Sequence, residues 1–169
     1  LQAGVINIVA NNSSFEFVQD EMELVSEELP EGISVSLSVT GIDEDILIGN
    51  LSGTYPAAIY RITGDLTIAS GDTVILEAGT KFQFDGEYDF NIYGTLKARG
   101  TESDSIIFKN FGDEKWRGFT LDNASDETEF QYVRITGAGK DDGGGIALYQ
   151  SHPTLTHVTI SGNTATNKG

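Results

Sequence analysis

The sequence predicts an all-β protein in which short strands stack in coils of about 24 residues. The first observation is a repeated tetrapeptide: residues 61–64 and 134–137 both read Arg-Ile-Thr-Gly, 73 residues or about three periods apart. The second is a looser copy of residues 133–137 at 158–162, at an offset of 25. The third is that most apolar runs after residue 59 span three to six residues, which is too short for helices.

Composition restricts the classes of function before any motif is considered. The chain has 169 residues, the size of one ordinary domain, and no cysteine, which excludes disulfides and thiol chemistry. No stretch approaches about 18 apolar residues, so we expect no membrane insertion. The formal net charge of −16 would repel phosphate backbones, so nucleic acid is not an expected partner.

Charge is distributed unevenly along the chain, and the composition changes near residue 60. Residues 1–60 contain ten acidic residues and no Lys or Arg, whereas residues 61–169 carry a net charge of −6. We therefore predict an acidic N-terminal β segment or cap at 1–55 and a stack of coils at 56–169. A cap on the stack and a separate small β module remain alternatives for the first part.

The strand patterns of the acidic part differ in strength. Residues 34–39 alternate serine with apolar residues, which is typical of a strand with one buried face. Residues 6–8 and 46–48 predict two further strands. Residues 14–29 fit either strands or an acidic helix that Pro30 would end, and we favour strands.

The second part consists of short apolar runs separated by turns rich in Gly, Asp, Asn, Ser and Thr. The predicted strands are 59–62, 66–68, 74–76, 81–84, 90–93, 95–98, 106–108, 116–121, 130–135, 145–149 and 155–160. A coil of such strands cannot bury its own apolar side. Stacking at the strand spacing of about 4.8 Å solves this problem, with each strand paired in parallel to its counterpart in the next coil. About four to five coils are expected.

Several apolar positions return at nearly the same interval, which predicts inward-facing ladders. The predicted sets are Ile68, Ile92 and Trp116; Phe84, Phe108, Val133 and Val158; and Leu121 with Leu148. Arg61 and Arg134 are predicted equivalents three coils apart, both facing outward.

Residues 130–133 and 155–158 share a pattern that predicts a corner between two faces. In both, two apolar residues flank a two-residue gap that breaks strict alternation. A bend would turn Phe130 inward on one face and Val133 inward on the next. Tyr132 and His157 would then stack on each other at the corner.

Residues 71–82, 93–101, 107–108 and 116–119 together resemble the opening coils of a known family. They are similar to right-handed parallel β-helix repeat proteins of the pectin-lyase-like fold, of the secreted bacterial type. The resemblance covers about 59–169 and implies a secreted or cell-surface location. The family includes polysaccharide lyases, hydrolases, phage tailspikes and adhesins, so the resemblance indicates fold better than activity.

The expected function is a non-catalytic β-helix segment of a larger secreted or cell-surface protein, presenting a rigid face to a polysaccharide or a surface protein. The alternative is a polysaccharide lyase or glycoside hydrolase. Such an enzyme needs two carboxylates, or carboxylates with a base, within catalytic reach. No C-terminal cap is evident before Gly169, which predicts either further sequence or end-to-end self-association through unpaired strand edges.

Two clusters are candidate sites. Asp113, Glu114, Trp116 and Arg117 combine charges with the only tryptophan, and an exposed indole beside charged groups suits stacking on a sugar. The alternative is that Trp116 packs in the core, because Trp-x-Gly-Phe is a structural element of the resembled family.

The second cluster is an acidic, glycine-rich loop. Asp141 and Asp142 precede three glycines and are a candidate calcium site, although two adjacent acids supply few of the six to eight oxygens that calcium takes. A solvated turn is the alternative, and no other cofactor is expected. Arg134 with these two acids is the one combination that could imitate a lyase site, against the alternative of a salt-bridged outward arginine.

Overall fold

The chain divides into two compact units, residues 1–43 and 44–169. The computed structural model describes residues 5–7, 38–40 and 45–168, and these contain strands and no helix. The strands are β1 (Val5–Asn7), β2 (Ser38–Thr40), β3 (Asp45–Asn50), β4 (Gly53–Tyr55), β5 (Ile59–Ile68), β6 (Thr73–Leu76), β7 (Lys81–Phe84), β8 (Phe90–Ile92), β9 (Thr95–Arg99), β10 (Ile106–Asn110), β11 (Phe119–Asp122), β12 (Glu129–Gln131), β13 (Val133–Ile135), β14 (Gly139–Asp142), β15 (Ile146–Tyr149), β16 (Thr154–Thr156), β17 (Thr159–Ile160) and β18 (Thr164–Lys168).

The described residues of the first unit form an antiparallel pair of strands. β1 pairs with β2 so that Ile6 lies opposite Val39. These strands overlap the predicted strands at 6–8 and 34–39, and each extends one residue beyond the predicted range. The ambiguous stretch at 14–29 lies outside the described residues.

The second unit is a parallel β-solenoid of about five turns, so the all-β prediction and the parallel stacking are confirmed. One face contains the first half of β5, then β7, β10, β13 and β17. A second face contains the second half of β5, then β8, β11 and β15. A third contains β4, β6, β9, β12 and β16.

The first turn of the solenoid starts before residue 56. β3 pairs in parallel with β5, and β4 pairs in parallel with β6. Residues 45–55 therefore contribute strands to the stack. An additional pair, β14 with β18, lies between the first and second faces of the last turns, and the sequence did not indicate it.

The core forms because strand residues alternate between the interior and the solvent. In β7, for example, Phe82 and Phe84 are fully buried while Lys81 and Gln83 are not. Each buried aromatic or branched side chain contributes about 1.5–3 kcal/mol. The aromatic rings also contact one another edge-to-face, as Phe108 does with Phe119 at a centroid separation of 4.8 Å.

Some predicted registers are confirmed. Ile68 lies beside Ile92, and Leu121 lies beside Leu148. The corner is confirmed as well: the rings of Tyr132 and His157 stack with centroids 4.4 Å apart and planes 4° from parallel. Both residues have a positive φ, which makes the sharp bend.

Other predicted registers were wrong by two residues. Phe108 pairs with Phe82 and Ile135 rather than with Phe84 and Val133. A slip of two keeps every side chain on its predicted side of the sheet, so the core positions were still right. The physical reason is that loop lengths differ from turn to turn. Paired residues are 22 positions apart in sequence between β5 and β7, 26 between β7 and β10, 27 between β10 and β13, and 25 between β13 and β17.

The same error affects the two arginines. Arg61 pairs with Gln83, and Gln83 pairs with Lys109 in the following turn. Arg134 instead pairs with Ile107, two residues before Lys109. They are therefore not equivalent positions. Arg61 bonds Asp85 at 3.2 Å and covers the ring of Phe111, and Arg134 is exposed.

The last described turn leaves inward-facing side chains uncovered. Leu148, Leu155 and Ile160 are nearly half-exposed, although their counterparts one turn earlier are buried. The expected end-to-end self-association concerns this surface and stays a prediction. The described residues contain no helix that could span a membrane.

The buried tyrosine of the first turn predicts alkaline sensitivity. Tyr60 is in the core, and its hydroxyl donates to the carbonyl oxygen of Pro56 at 3.1 Å. Burial, aided by the charge of Asp45, raises the pKa of Tyr60 above its usual value. Its stabilising contribution is therefore complete below about pH 10 and is lost as the pH rises through the raised pKa. In urea unfolding at increasing pH, Tyr60→Phe should lose less stability than the wild type, and an equal loss would contradict this.

Candidate functional site

Trp116 is not available to a ligand, so the predicted sugar platform at this residue was wrong. Its side chain is 0% exposed and stacks on Phe84 with ring centroids 4.2 Å apart. Its indole N–H donates to the carbonyl oxygen of Thr136 at 2.9 Å. Both the apolar rings and the polar atom are therefore used inside the solenoid. The alternative, structural packing, is what the fold requires.

The other residues of that cluster remain on the surface. Asp113 and Glu114 are exposed in the loop that precedes Trp116. Arg117 is partly exposed, and its guanidinium lies 3.7 Å from the carboxylate of Glu87 and 3.6 Å from that of Asp89. Of the predicted cluster, only Arg117 thus enters an organised set of charges.

The predicted calcium ligands are bonded to neighbouring side chains. Asp141 accepts a hydrogen bond from the Thr166 hydroxyl at 2.7 Å, and Asp142 accepts one from the Asn167 amide at 2.9 Å. Both bonds connect β14 to β18. Within residues 45–168, no group of three or more His, Asp or Glu side chains is arranged to hold a metal ion. The calcium site stays a prediction without a visible set of ligands.

An open cleft of about 380 Å³, here called the loop cleft, brings Arg117 and Asp141 together. Lys115, Lys140 and Glu87 also line it. The Lys140 amine bonds Asp89 at 2.6 Å and the Thr120 hydroxyl at 2.9 Å. Because Arg117 also pairs with Asp89, both bases are committed to one carboxylate.

A larger open cleft of about 580 Å³, here called the strand groove, lies on the outer side of the first face. Its floor is one ladder of outward-facing residues from four successive turns: Ile59, Lys81, Ile107 and Arg134. The loop at 102–105 lines it as well, with two acids and two serines. Arg134 thus lines a different cleft from Asp141, and the lyase-like combination is not brought together in one cleft.

A third feature, here called the tyrosine row, lies at the end of the second face. Asp122 is paired with Tyr149 and directly follows Leu121, which pairs with Ile92; Tyr93 directly follows Ile92, at the end of β8. The order across three turns is Tyr93, Asp122, Tyr149. Tyr93 is 42% exposed and Tyr149 is 49% exposed.

Backbone geometry holds the tyrosine row at a corner. Asn123 and Gln150, which follow Asp122 and Tyr149, both have a positive φ and turn the chain out of the second face. The Asn123 amide donates to one Asp122 carboxylate oxygen at 2.7 Å. The Asn123 backbone N–H donates to the Tyr149 carbonyl oxygen at 3.0 Å, which fixes the two turns in register.

Sequence reasoning missed the tyrosine row for a definite reason. The predicted register placed Trp116 beside Ile92, so the loop before Phe119 was assigned to the strand. A usable signal was present in the confirmed pair Leu121 and Leu148. The residues that follow this pair are Asp122 and Tyr149, and they share its register.

Comparison with known proteins gives one limited likeness. A stretch of 66 residues, 38% of this chain, is 35% identical to part of a Drosophila melanogaster protein named Protein bark beetle. The stretch spans 2% of that protein's length. No family model and no solved structure matches the chain.

Proposed function

We propose that the chain is a non-catalytic β-helix segment of a larger secreted or cell-surface protein, and that it presents a rigid face to a glycan. The observation that carries the proposal is the tyrosine row, with two exposed aromatic rings on either side of a carboxylate. The likeness to a short part of a much longer protein supports a segment of a larger chain. The resemblance to the secreted pectin-lyase-like family remains part of this proposal.

The chemistry of the tyrosine row suits a sugar. An aromatic ring offers an apolar face to the C–H side of a pyranose, and the tyrosine hydroxyl adds a polar edge. A carboxylate accepts hydrogen bonds from neighbouring sugar hydroxyls, and Asp122 has one oxygen beyond its bond to Asn123. One row therefore supplies the two kinds of contact that a neutral glycan needs.

The spacing of the tyrosine row suits an oligosaccharide rather than a single sugar. Tyr93 and Tyr149 directly follow Ile92 and Leu148, which lie two strand positions apart along the stack, about 9.6 Å. Because paired strands fix this distance, little conformational freedom is lost on binding, and preorganisation favours affinity. A chain of sugars lying along the solenoid axis would contact both rings and the carboxylate.

The alternative function, a polysaccharide lyase or glycoside hydrolase, has less support. The loop cleft is where acids and bases meet, but Arg117 and Lys140 are both paired with Asp89. A group that abstracts a proton from a substrate must have an atom that is free to accept that proton. Incubation of the protein with the neutral oligosaccharides below tests a hydrolase, and incubation with oligosaccharides that contain uronate tests a lyase, because β-elimination needs the C5 carboxylate of a uronate. Cleavage of either kind, detected by product chromatography, would overturn the non-catalytic proposal.

We expect the protein to bind at least one member of a panel of neutral β-1,4-linked hexasaccharides of glucose, xylose, mannose and N-acetylglucosamine, measured by isothermal titration calorimetry. Tyr93→Ala and Tyr149→Ala should each weaken binding about threefold to tenfold, since each removes one stacking surface. Tyr93→Phe should bind nearly as well as the wild type, because the ring remains. Asp122→Ala should weaken binding by a similar factor.

Matched controls separate the tyrosine row from general surface effects. His157→Asn removes an exposed ring at another corner, and Asn tolerates the positive φ there. Asp113→Asn removes an exposed acid of the loop before Trp116. Both should bind like the wild type. Absence of binding across the panel, or equal weakening by the controls, would refute the proposed site.

A further inference from the structure

The strand groove contains two cations, Lys81 and Arg134, that have no partner among residues 45–168. We propose that this groove binds an extended acidic segment of a partner polypeptide, with Lys81 and Arg134 each taking one carboxylate. This inference is independent of glycan binding, because the tyrosine row lies on a different face. Both cations point out of the first face from strands that are fixed in register.

Lys81 and Arg134 lie on one ladder of the first face, on either side of Ile107. Within residues 45–168, neither Lys81 nor Arg134 forms an ion pair or a side-chain hydrogen bond. By contrast, Lys97 bonds Glu127 and Lys140 bonds Asp89. Unpaired cations on the floor of this cleft are available to an anionic ligand.

The rest of the groove favours a polypeptide over a sugar. Ile59 and Ile107 alternate with the two cations along the floor, and Ala57, Ala58 and Ala78 line the sides. None of the described residues that line the groove is aromatic, so these residues offer a sugar ring no stacking surface. A peptide can supply both carboxylates and small apolar side chains, which matches this alternation.

The spacing of the cations predicts the spacing of the acids. Lys81 and Arg134 are two strand positions apart, about 9.6 Å. In a polyproline II segment, residues three apart lie on the same side and about 9.3 Å apart. A segment with an acidic residue at every third position and apolar residues between would place its carboxylates over the cations and its apolar atoms over Ile107.

The test uses fluorescence anisotropy with a labelled peptide of three Glu-Pro-Ala repeats. A matched peptide carries Gln in place of each Glu. At an ionic strength of about 0.15 M, where charges more than about 8 Å apart are screened, we expect only the acidic peptide to bind. Lys81→Gln and Arg134→Gln should each weaken binding of the acidic peptide about threefold. Glu102→Gln should strengthen this binding, because it removes a negative charge from the lining of the same groove.

The control is Lys97→Gln, which removes a cation from the third face and should leave peptide binding unchanged. Equal binding of the two peptides would overturn the proposal. So would an equal loss in Lys97→Gln, which would indicate diffuse charge attraction. A polyuronate that binds more tightly, with the same dependence on Lys81 and Arg134, would assign the groove to a glycan and also overturn it.

Discussion

Replacing Trp116 by alanine should lower the free energy of unfolding by about 3–5 kcal/mol, as expected for a large aromatic side chain removed from a core. The indole contacts Phe84 face-to-face and Phe119 edge-to-face, with ring centroids 4.2 and 5.3 Å away. It also links two turns, because its N–H donates to Thr136 and its backbone bridges to Ala138. Chemical denaturation of the variant and the wild type measures the difference.

Trp116→Phe is the matched variant for this prediction. It keeps an aromatic ring in the cavity but loses the bond to the Thr136 carbonyl oxygen, so a smaller loss of about 1–3 kcal/mol is expected. Neither variant should change the affinity for an oligosaccharide under conditions where it remains folded. A Trp116→Ala protein of unchanged stability that had lost glycan binding would show that the indole is a surface platform after all.

Gly118→Ala is the second change with a large expected effect. Gly118 has a φ of +73°, and a Cβ there would collide with the backbone carbonyl oxygen of Gly144 and lie 2.9 Å from that of Gly145. Those carbonyls belong to the next turn, and the Gly145 oxygen accepts the N–H of Phe119. The clash must therefore push two paired turns apart. We expect a loss of about 2–5 kcal/mol from backbone strain and overpacking together.

Gly112→Ala is a closely matched control for Gly118→Ala. Its φ is +72°, but nothing lies within 4 Å of the added Cβ. It should therefore lose only the strain of the left-handed conformation, about 1–2 kcal/mol. Thermal or urea unfolding of both variants compares them. Equal losses would mean that the turns carrying Gly118 and Gly144 are not packed as closely as described.

The inward and outward sides of the strands could be predicted from the sequence because the strand period is two. Phe84, Phe108 and Val133 all had their interior side predicted correctly even though their partners were misassigned. The partners depend on loop lengths, which vary from turn to turn. The loop before Phe119 is the clearest case, because it moved Trp116 out of the strand and into a bridge with Ala138.

The candidate sites were harder to predict because they depend on neighbours in other turns. Arg117 and Asp141 share the loop cleft although 24 residues separate them. Tyr93 and Tyr149 lie in one row because the length of the intervening turn brings Leu121 into register with both Ile92 and Leu148. Composition also gave no sign that Lys81 and Arg134 lack acidic partners in a chain with a net charge of −16.

The central functional claim is that the tyrosine row is the glycan-binding face. The most direct test is a titration of isotope-labelled protein with the tightest-binding hexasaccharide, followed by backbone amide chemical shifts. The account predicts that the largest shifts cluster at Tyr93, Asp122, Asn123 and Tyr149, with the loop cleft and the strand groove unaffected. If the largest shifts instead lie in the loop cleft, around Arg117 and Lys140, the account is contradicted and the loop cleft is the glycan-binding site.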